Sequence, residues 1–311
     1  MRYPLLIPTT LPLSLLCIFI TINLPSTHAT PAPKIPGFTL TWSDTFSDPA
    51  GSPASPKTWQ YETPATNQNL ELQHYTSSPS NAHISKTSTL QITPLHTSET
   101  WTSARLSTHQ TFHCAPNTQL HLQARIKLGN NPPTHQKGIW PAFWTLGSSF
   151  RENGLWPQCA EWDIMEQVNG VSTSTGTIHW GNSNTSSPQA IASQGIAYER
   201  AQWHEYALRI SRVGNWEEQS ISWVLDGEFY FVVTGEMVGD WAAWNSLVAE
   251  SYYVLLNVAV GGDWPGEPDD WTLGGTGSGM EVAYVAVYEG LVGEGGGVEG
   301  GEGKIFFLEF L

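Results

Sequence analysis

Cysteines, basic residues and long apolar segments are all scarce in this chain of 311 residues. Three cysteines are too few for the disulfide framework of a small secreted scaffold. The chain has 13 lysines and arginines but 28 acidic residues, and only five of those acids lie in the first 150 positions. Because nucleic-acid binding needs a basic face, the net charge of −15 argues against a nucleic-acid partner. Beyond the N-terminus no segment is apolar enough to span a bilayer, so we expect no membrane association of the mature chain.

The first 29 residues have the layout of a secretory signal peptide. Arg2 supplies the positive start, "PLSLLCIFITINL" the apolar stretch, and "THA" ending at Ala29 the small-residue cleavage site. A signal anchor is the alternative, although the apolar run is short and contains Pro12. We expect cleavage, a Pro-rich lead over residues 30–37, and a mature protein outside the cell or in the cell wall.

Two cysteines, Cys114 and Cys159, remain after signal removal, and in an oxidising compartment they fit either a disulfide or two separate buried thiols. The sequence "NTS" at Asn184 is an N-glycosylation sequon that secretion would make usable.

Regular helical periodicity is nearly absent, and short alternating strands take its place. In "QLHLQARIKL" (119–128) the apolar side chains fall on one face and the polar ones on the other, which predicts a half-buried strand. "ISWVLDGEFYFVV" predicts a hairpin turning at Asp226 and Gly227, and "DWAAWNSLVAE" is the best candidate helix. Many short strands without intervening helices predict an all-β sandwich or barrel over residues 38–290. The Gly/Glu-rich tail, residues 291–311, has a composition typical of disorder.

Three carboxylates stand in the segment "EWDIME", which otherwise resembles a half-buried strand. In a regular strand Glu161 and Asp163 share a face, whereas Glu166 points with Trp162 into the core, where an ionised group costs several kcal/mol. A one-residue bulge near Met165 would return Glu166 to the face of the other two acids. The two glutamate Cα atoms would then lie about 13 Å apart and their carboxyls about 5 Å apart, the spacing of a retaining glycosidase pair. A solvated acidic strand edge and a calcium site are the alternatives that these residues leave open.

Several further segments, in order along the chain, resemble one enzyme family. The matches to family motifs are "NLELQHYT" (69–76), "TSARLST", "KGIWPAFWTLG" (137–147), "WPQCAEWDIMEQVNG", "GTIHW" (176–180) and "LNVAVGGDWPG" (256–266). Together they span about residues 40 to 289, and they are similar to the family 16 glycoside hydrolases, in particular laminarinase-like endo-1,3(4)-β-glucanases of the secreted fungal type. The resemblance implies an all-β fold, a concanavalin A-like β-jelly-roll of two antiparallel sheets with a concave substrate cleft.

The resemblance also implies roles for the three acids in a retaining double displacement. Glu161 is similar to the family nucleophile, Glu166 to the acid/base and Asp163 to the assisting carboxylate. It implies no cofactor and no catalytic metal. The residues expected to bind substrate are Asn69, Arg105, Trp140, Trp144, Trp156, His179 and Trp264. Tryptophan faces stack on sugar rings, although core packing is the common role of a sandwich tryptophan, and ordinary structural roles are the alternative for the polar members.

Three positions depart from the family pattern. Ala160 stands where the family usually has glycine, and alanine favours ordinary backbone angles. Trp162 replaces a smaller apolar residue, and its parity assigns it to the core. Ala283 replaces an aspartate that is a frequent calcium ligand in relatives, so a structural calcium site is doubtful.

Three functions fit these observations. The favoured function is that of an endo-β-glucanase that acts as a monomer. Its partner would be a β-glucan, which it would cut at 1,3 bonds and, in mixed glucans, also at 1,4 bonds. A cell-wall β-glucan transglycosylase would use the same intermediate with a sugar acceptor, but such relatives mostly carry an unbulged motif. A non-catalytic, lectin-like glucan-binding module would have no need of two glutamates at catalytic separation.

Overall fold

The computed structural model describes residues 29–63, 69–97, 100–181 and 188–291. The predicted signal peptide up to residue 28, the sequon at Asn184 and the Gly/Glu-rich tail after residue 291 lie outside the described residues. No helix within these ranges is long and apolar enough to cross a membrane.

Strands are the main regular structure of the described chain, as the alternating patterns predict. Its strands are β1 (Thr39–Asp44), β2 (Trp59–Tyr61), β3 (Gln73–Tyr75), β4 (Ala82–Ile84), β5 (Leu90–Ile92), β6 (Leu95–His96), β7 (Trp101–Ser103), β8 (Arg105–Thr108), β9 (Thr118–Leu128), β10 (Ile139–Gly147), β11 (Glu161–Glu166), β12 (Thr173–Trp180), β13 (Gln189–Ala192), β14 (Ile196–Ala197), β15 (His204–Ser211), β16 (Ser220–Leu225), β17 (Glu228–Thr234), β18 (Tyr252–Val260) and β19 (Met280–Leu291). The helices are α1 (Phe150–Asn153), α2 (Gly235–Val238) and α3 (Trp241–Ala249), with 3-10 turns at Pro133–His135 and Thr276–Ser278.

Two antiparallel sheets pack face to face, with eight strands each among the described residues. The first has the order β17-β16-β15-β9-β19-β5-β4, and β1 also pairs with β19. The second, which we call the cleft sheet, has the order β13-β12-β11-β10-β18-β8-β2, and β14 also pairs with β12. A small sheet, β3-β7-β6, flanks them and contains a parallel pair, β3 with β7. The all-β jelly-roll sandwich predicted from the sequence is therefore confirmed.

The core lies between the two sheets and follows the period of two. In β9 the side chains of Leu120, Leu122, Ala124 and Ile126 are all buried, as the alternation predicts. The cleft sheet supplies core residues in the same way, and aromatic stacking fills the space between sheets. The ring centroids of Trp162 and Tyr252 lie 3.5 Å apart, so the assignment of Trp162 to the core is confirmed.

The outer face of the first sheet is covered by the segment that precedes β1. Phe38 packs against His121 with ring centroids 5.7 Å apart, and the Tyr288 hydroxyl donates to the Pro33 carbonyl over 2.8 Å. His121 of β9 is therefore buried although its parity predicts an outward position. Ala283 is buried on the same covered face, where it offers a methyl group in place of a carboxylate ligand.

Two local predictions depend on turn and cap chemistry, and the structure confirms both. Leu225 pairs with Glu228 across a two-residue turn, in which Asp226 and Gly227 have φ angles of 51° and 89°. Positive φ at both central positions is the backbone that an Asp-Gly hairpin turn requires. The predicted helix is α3, and the carboxylate of Asp240 caps it by accepting from the Ala243 N–H over 2.8 Å.

Cys114 and Cys159 are both buried and unpaired, so the alternative of two separate thiols is the one found. Cys114 lies beside Thr118 and the Ile210 carbonyl. Cys159 packs in a different cluster with Leu146 and Leu255.

Candidate active site

A β-bulge in β11 places all three acids on one face of the cleft sheet. Along β10, Phe143 pairs with Met165 and Trp144 pairs with Asp163, which leaves Ile164 as the extra residue. Along β12 the register also shifts, between Asp163, which pairs with Thr177, and Glu166, which pairs with Thr175. Ile164 and Met165 are both fully buried, so Glu166 returns to the face of Glu161 and Asp163. The bulge expected beside Met165 is confirmed.

Each acid has a specific partner at the floor of the cleft. Glu161 Oε2 accepts from the Trp156 indole N–H over 3.0 Å, and Glu166 Oε1 accepts from the Trp140 indole N–H over 2.9 Å. His179 Nε2 lies 3.2 Å from Asp163 Oδ2 and 3.9 Å from Glu161 Oε1. The two glutamates are therefore held by different tryptophans, while Asp163 and the imidazole lie beside Glu161.

Burial and mutual repulsion raise the pKa of all three carboxyls. For Glu161, burial first and then the charge of Asp163 raise the pKa to about 8, partly offset by His179, Trp156 and Arg105. Burial raises the pKa of Asp163, and burial together with the charges of Asp163 and Glu161 raises the pKa of Glu166 well above 4.5. Carboxyls this close share protons, so their titration belongs to the group. Glu161 keeps the larger exposed fraction of side chain, 15% against 4% for Asp163, so water screens its charge better. Between the two glutamates, the charges of two acids raise the pKa of Glu166, whereas one acid raises that of Glu161 and three contacts oppose it, so the surroundings favour ionisation of Glu161 over that of Glu166.

The acids lie between two adjoining cavities of about 550 and 1080 Å³. All ten predicted site residues line one cavity or both. The residues common to both cavities are Asn69, Trp140, Trp156, Glu161, Asp163 and Glu166. Arg105 and Trp144 line the smaller cavity, and His179 and Trp264 line the larger one. The structure thus brings together residues that are separated by almost 200 positions in the sequence.

The tryptophans that line the two cavities differ in how much of their ring surface is exposed. Trp140 and Trp264 meet at 90° with ring centroids 5.5 Å apart, and Trp264 and Trp156 remain 48% and 40% exposed. Their open faces suit stacking on a flat apolar ligand. Trp144 differs, because the Arg105 guanidinium lies 4.6 Å above its ring and its N–H is bonded to Asn257 Oδ1 over 2.7 Å. We therefore regard Trp144 as part of the wall, with less ring surface free for stacking.

Among the described residues, Glu161, Asp163 and His179 have side-chain ligand atoms all within 4.8 Å of one another, close enough to hold a metal ion. Glu161 is also one of the two carboxyls that carboxylate-based glycoside hydrolysis would use.

The comparisons with known proteins agree with this geometry. A family model described as "Glycosyl hydrolases family 16" matches residues 66–276. The chain belongs to this family. The match includes the bulged strand and all ten predicted site residues.

By description, the relatives of this family 16 chain include a glucan-acting enzyme and a galactosidase that acts on keratan sulfate. The chain is 30% identical over 279 residues to glucan endo-1,3-beta-glucosidase A1 of Niallia circulans, a match that covers 83% of this chain and 39% of that protein. It is 29% identical to a keratan-sulfate endo-1,4-beta-galactosidase of Sphingobacterium multivorum over 50% of this chain and 34% of that protein. The chain thus spans well under half the length of these two relatives.

The solved structures extend the likeness to the fold. The endo-1,3-beta-glucanase from Streptomyces sioyaensis superposes with a TM-score of 0.76 at 31% identity, over 85% of this chain and 100% of that chain. The laminarinase catalytic domain from Thermotoga petrophila gives a TM-score of 0.61 at 29% identity, over 81% and 98% respectively.

Two cleft residues of the family 16 chain were not selected from the sequence. Glu71 lines the smaller cavity, and its carboxylate accepts from Gln73 Nε2 over 2.6 Å. Asn257 lines the same cavity and joins Trp144 to the Tyr75 hydroxyl, which is 3.2 Å from Asn257 Nδ2. Both stand in motifs quoted above, and Asn257 is the one amide in the otherwise apolar β18. A single polar side chain in such a strand is a sequence feature from which Asn257 could have been predicted as a site residue.

The backbone of Ala160 differs from the expectation of ordinary angles. Its φ is 61°, in the left-handed region that favours glycine. The Ala160 N–H donates to the Pro157 carbonyl over 3.0 Å, while its own carbonyl accepts from the Gly147 N–H over 3.0 Å. The N–H of Ala160 thus closes a turn, while its carbonyl already pairs with the neighbouring strand. The left-handed angle allows one residue, immediately before Glu161, to make both bonds.

Proposed function

We propose that the chain is an endo-β-glucanase that hydrolyses β-1,3-glucosidic bonds by a retaining double displacement, with β-1,4 bonds in mixed glucans as a further substrate. The observation that carries the proposal is the bulge at Ile164, which puts Glu161 and Glu166 on one face beside Asp163. The named relatives support the substrate class. A LamA protein from Zobellia galactanivorans, 28% identical to this chain, was solved in complex with laminaritriose and laminaritetraose.

The first displacement uses both glutamates. In the reactive form Glu161 is ionised and Glu166 is protonated. A carboxylate oxygen of Glu161 attacks the anomeric carbon while the bond from that carbon to the leaving oxygen breaks, and the proton held by Glu166 passes to the leaving oxygen. Burial and the acidic neighbours raise the pKa of Glu166, which favours the protonated form that a general acid needs. The product is a glucosyl ester on Glu161 and a shortened glucan with a new hydroxyl end.

The second displacement regenerates the protein. Glu166, now ionised, takes a proton from water, whose oxygen attacks the anomeric carbon and breaks the ester to Glu161. His179 and Asp163 touch each other at 3.2 Å and lie beside Glu161, where they can share the charge that moves on and off its carboxyl. Two inversions at the same carbon retain its configuration.

The cavities support an endo mode of binding. Exposed faces of Trp156 and Trp264 lie on the larger cavity, and the smaller cavity adds Asn69 and Arg105 as polar groups. Aromatic platforms that flank the acids suit several consecutive sugar rings. We also propose that the protein acts outside the cell or in the cell wall, as a monomer.

The test is incubation of the purified protein with laminarin, with release of reducing ends as the readout. The Glu161→Gln and Glu166→Gln variants should be inactive, whereas Glu236→Gln, which changes an exposed acid of α2 outside both cavities, should match the unsubstituted protein. Lichenan, curdlan and cellulose as parallel substrates define the linkage. No reducing ends from any of these glucans, with a folded protein, would contradict the proposal.

A further inference from the structure

A tryptophan from the opposite sheet reaches across the core to the strand that carries the acids. Trp223 lies in β16 of the first sheet and is fully buried. Its indole N–H donates to the backbone carbonyl of Asp163 in the cleft sheet over 2.7 Å. Since most strand carbonyls are bonded within their own sheet, a side-chain donor from the facing sheet is an unusual attachment.

The bond is made at the residue where the bulge begins. Asp163 is the last residue of β11 in register with β12 before the shift, since it pairs with Thr177 whereas Glu166 pairs with Thr175. A bulge locally disrupts the ladder of backbone hydrogen bonds and bends the strand. The indole thus holds the backbone at the point where the ladder holds it least.

Space for the indole is provided by a glycine opposite the bulge. Gly176 stands between Thr175 and Thr177 in β12. A Cβ atom at this position would lie 2.3 Å from both Cδ1 and Nε1 of Trp223, closer than two such atoms can approach. The glycine, the register shift and the donated bond therefore coincide at one place in the sandwich.

We propose that Trp223 is a positioning residue for hydrolysis, because its indole N–H fixes the Asp163 carbonyl and with it the bulge that turns Glu166 toward Glu161. The inference rests on the proposed function. Trp223 lines neither cavity and touches no substrate, so it acts through the backbone of β11. Displacements of about 1 Å at reacting groups cost rates of order 100-fold, which is the size of effect that loss of this bond can produce.

The experiment compares Trp223→Phe with a matched control, Trp244→Phe. Like Trp223, Trp244 is fully buried and lines neither cavity, but its N–H donates to Gln219 Oε1 over 3.0 Å and not to the backbone of β11. Both changes remove one buried indole donor and part of a ring, so both should lower the unfolding temperature. Only Trp223→Phe should lower kcat on laminarin, by about 10- to 100-fold, with KM within about twofold.

The pH profile separates positioning from general destabilisation. If the bulge relaxes, Glu166 changes both its burial and its distance from Asp163 and Glu161, which are the causes that set its pKa, so the basic limb of the rate profile shifts. Trp244→Phe should leave that limb in place. If Trp223→Phe does not fold, 3-benzothienylalanine at position 223 keeps the ring shape while replacing the N–H with sulfur, and it should show the same loss.

The outcomes are distinct. Lack of activity in the unsubstituted protein contradicts the proposed function. An active protein in which the position 223 variants match Trp244→Phe in kcat and in the basic limb overturns the positioning role of Trp223 while leaving the proposed function intact.

Discussion

Trp140 donates its indole N–H to Glu166 Oε1 over 2.9 Å, so a residue expected to contact sugar also contacts the acid that is expected to protonate it. A donor bonded to a carboxylate favours its ionised form. This bond therefore lowers the pKa of Glu166 against the larger opposing effect of burial.

Trp140→Phe should shift the basic limb of the kcat/KM profile to higher pH. Loss of the N–H removes the contact that stabilises ionised Glu166, so the carboxyl keeps its proton to a higher pH. Trp264→Phe is the control, since Trp264 packs edge-on against Trp140 and lines the larger cavity. It should raise KM without moving the limb, and a shift in both variants would contradict the assignment to the hydrogen bond.

Azide should distinguish the roles of Glu161 and Glu166. Small anions can replace a missing nucleophile or intercept the glycosyl ester, and the product configuration reports which step they serve. With an activated aryl laminaribioside, Glu161→Ala plus azide should give the α-glycosyl azide, and Glu166→Ala plus azide the β-glycosyl azide. Loss of Glu166 should cost about 10²- to 10⁴-fold in turnover of laminarin, whose leaving group needs a proton. Exchanged configurations, seen by proton NMR, would reverse the two roles.

The free energy of unfolding should fall as the pH rises from about 5 to 8. The pKa of Glu161 is raised in the folded protein from 4.5 to about 8, so the folded state binds more protons than the unfolded chain across that interval. This contribution is fully present below the unfolded value and is lost as the pH passes through the folded one. Asp163→Asn removes one buried charge, so it should be more stable than the unsubstituted protein at pH 8, on the order of 1 kcal/mol, with little difference at pH 5. Urea unfolding at both pH values measures this, and a pH-independent difference would rule out the linkage.

Ala160→Gly should stabilise the protein by about 0.5–1 kcal/mol. Its φ of 61° costs alanine about 1–2 kcal/mol, and part of that gain is offset by the greater freedom of glycine in the unfolded chain. Ala242→Gly, in the exposed face of α3, should instead cost about 0.5–1 kcal/mol. Calorimetry should show unfolding temperatures that move in opposite directions, and a loss for both would mean that Ala160 is unstrained.

Periodicity predicted most of the fold and the center of the site, because both depend on which face a side chain occupies. The wrong parity of Glu166 in "EWDIME" was enough to require a bulge, and the alternation in β9 was enough to identify its core face. The burial of His121 could not be predicted this way, since it is caused by the segment around Phe38, far away in the sequence. The angle of Ala160 was missed for a related reason: it depends on where the preceding turn joins Gly147, a contact that local propensity does not contain.

Glu71 and Asn257 show a second limit. Asn257 lies in β18, two strands from the acids, and Glu71 lies just before β3 in a bridge to Gly261. Their positions in the cleft are fixed by partners such as Trp144 and Gln73. Single-strand patterns place a side chain on a face but do not say which strands become neighbours.

The paired inward side chains of Ile164 and Met165 have an evolutionary corollary. Deleting either one would leave Glu161, Asp163 and the last glutamate in plain alternation, all still facing the same way. The longer and shorter versions of the strand thus differ by one codon. Loss or gain of that codon during evolution would keep all three carboxyls on the cleft face of the sheet.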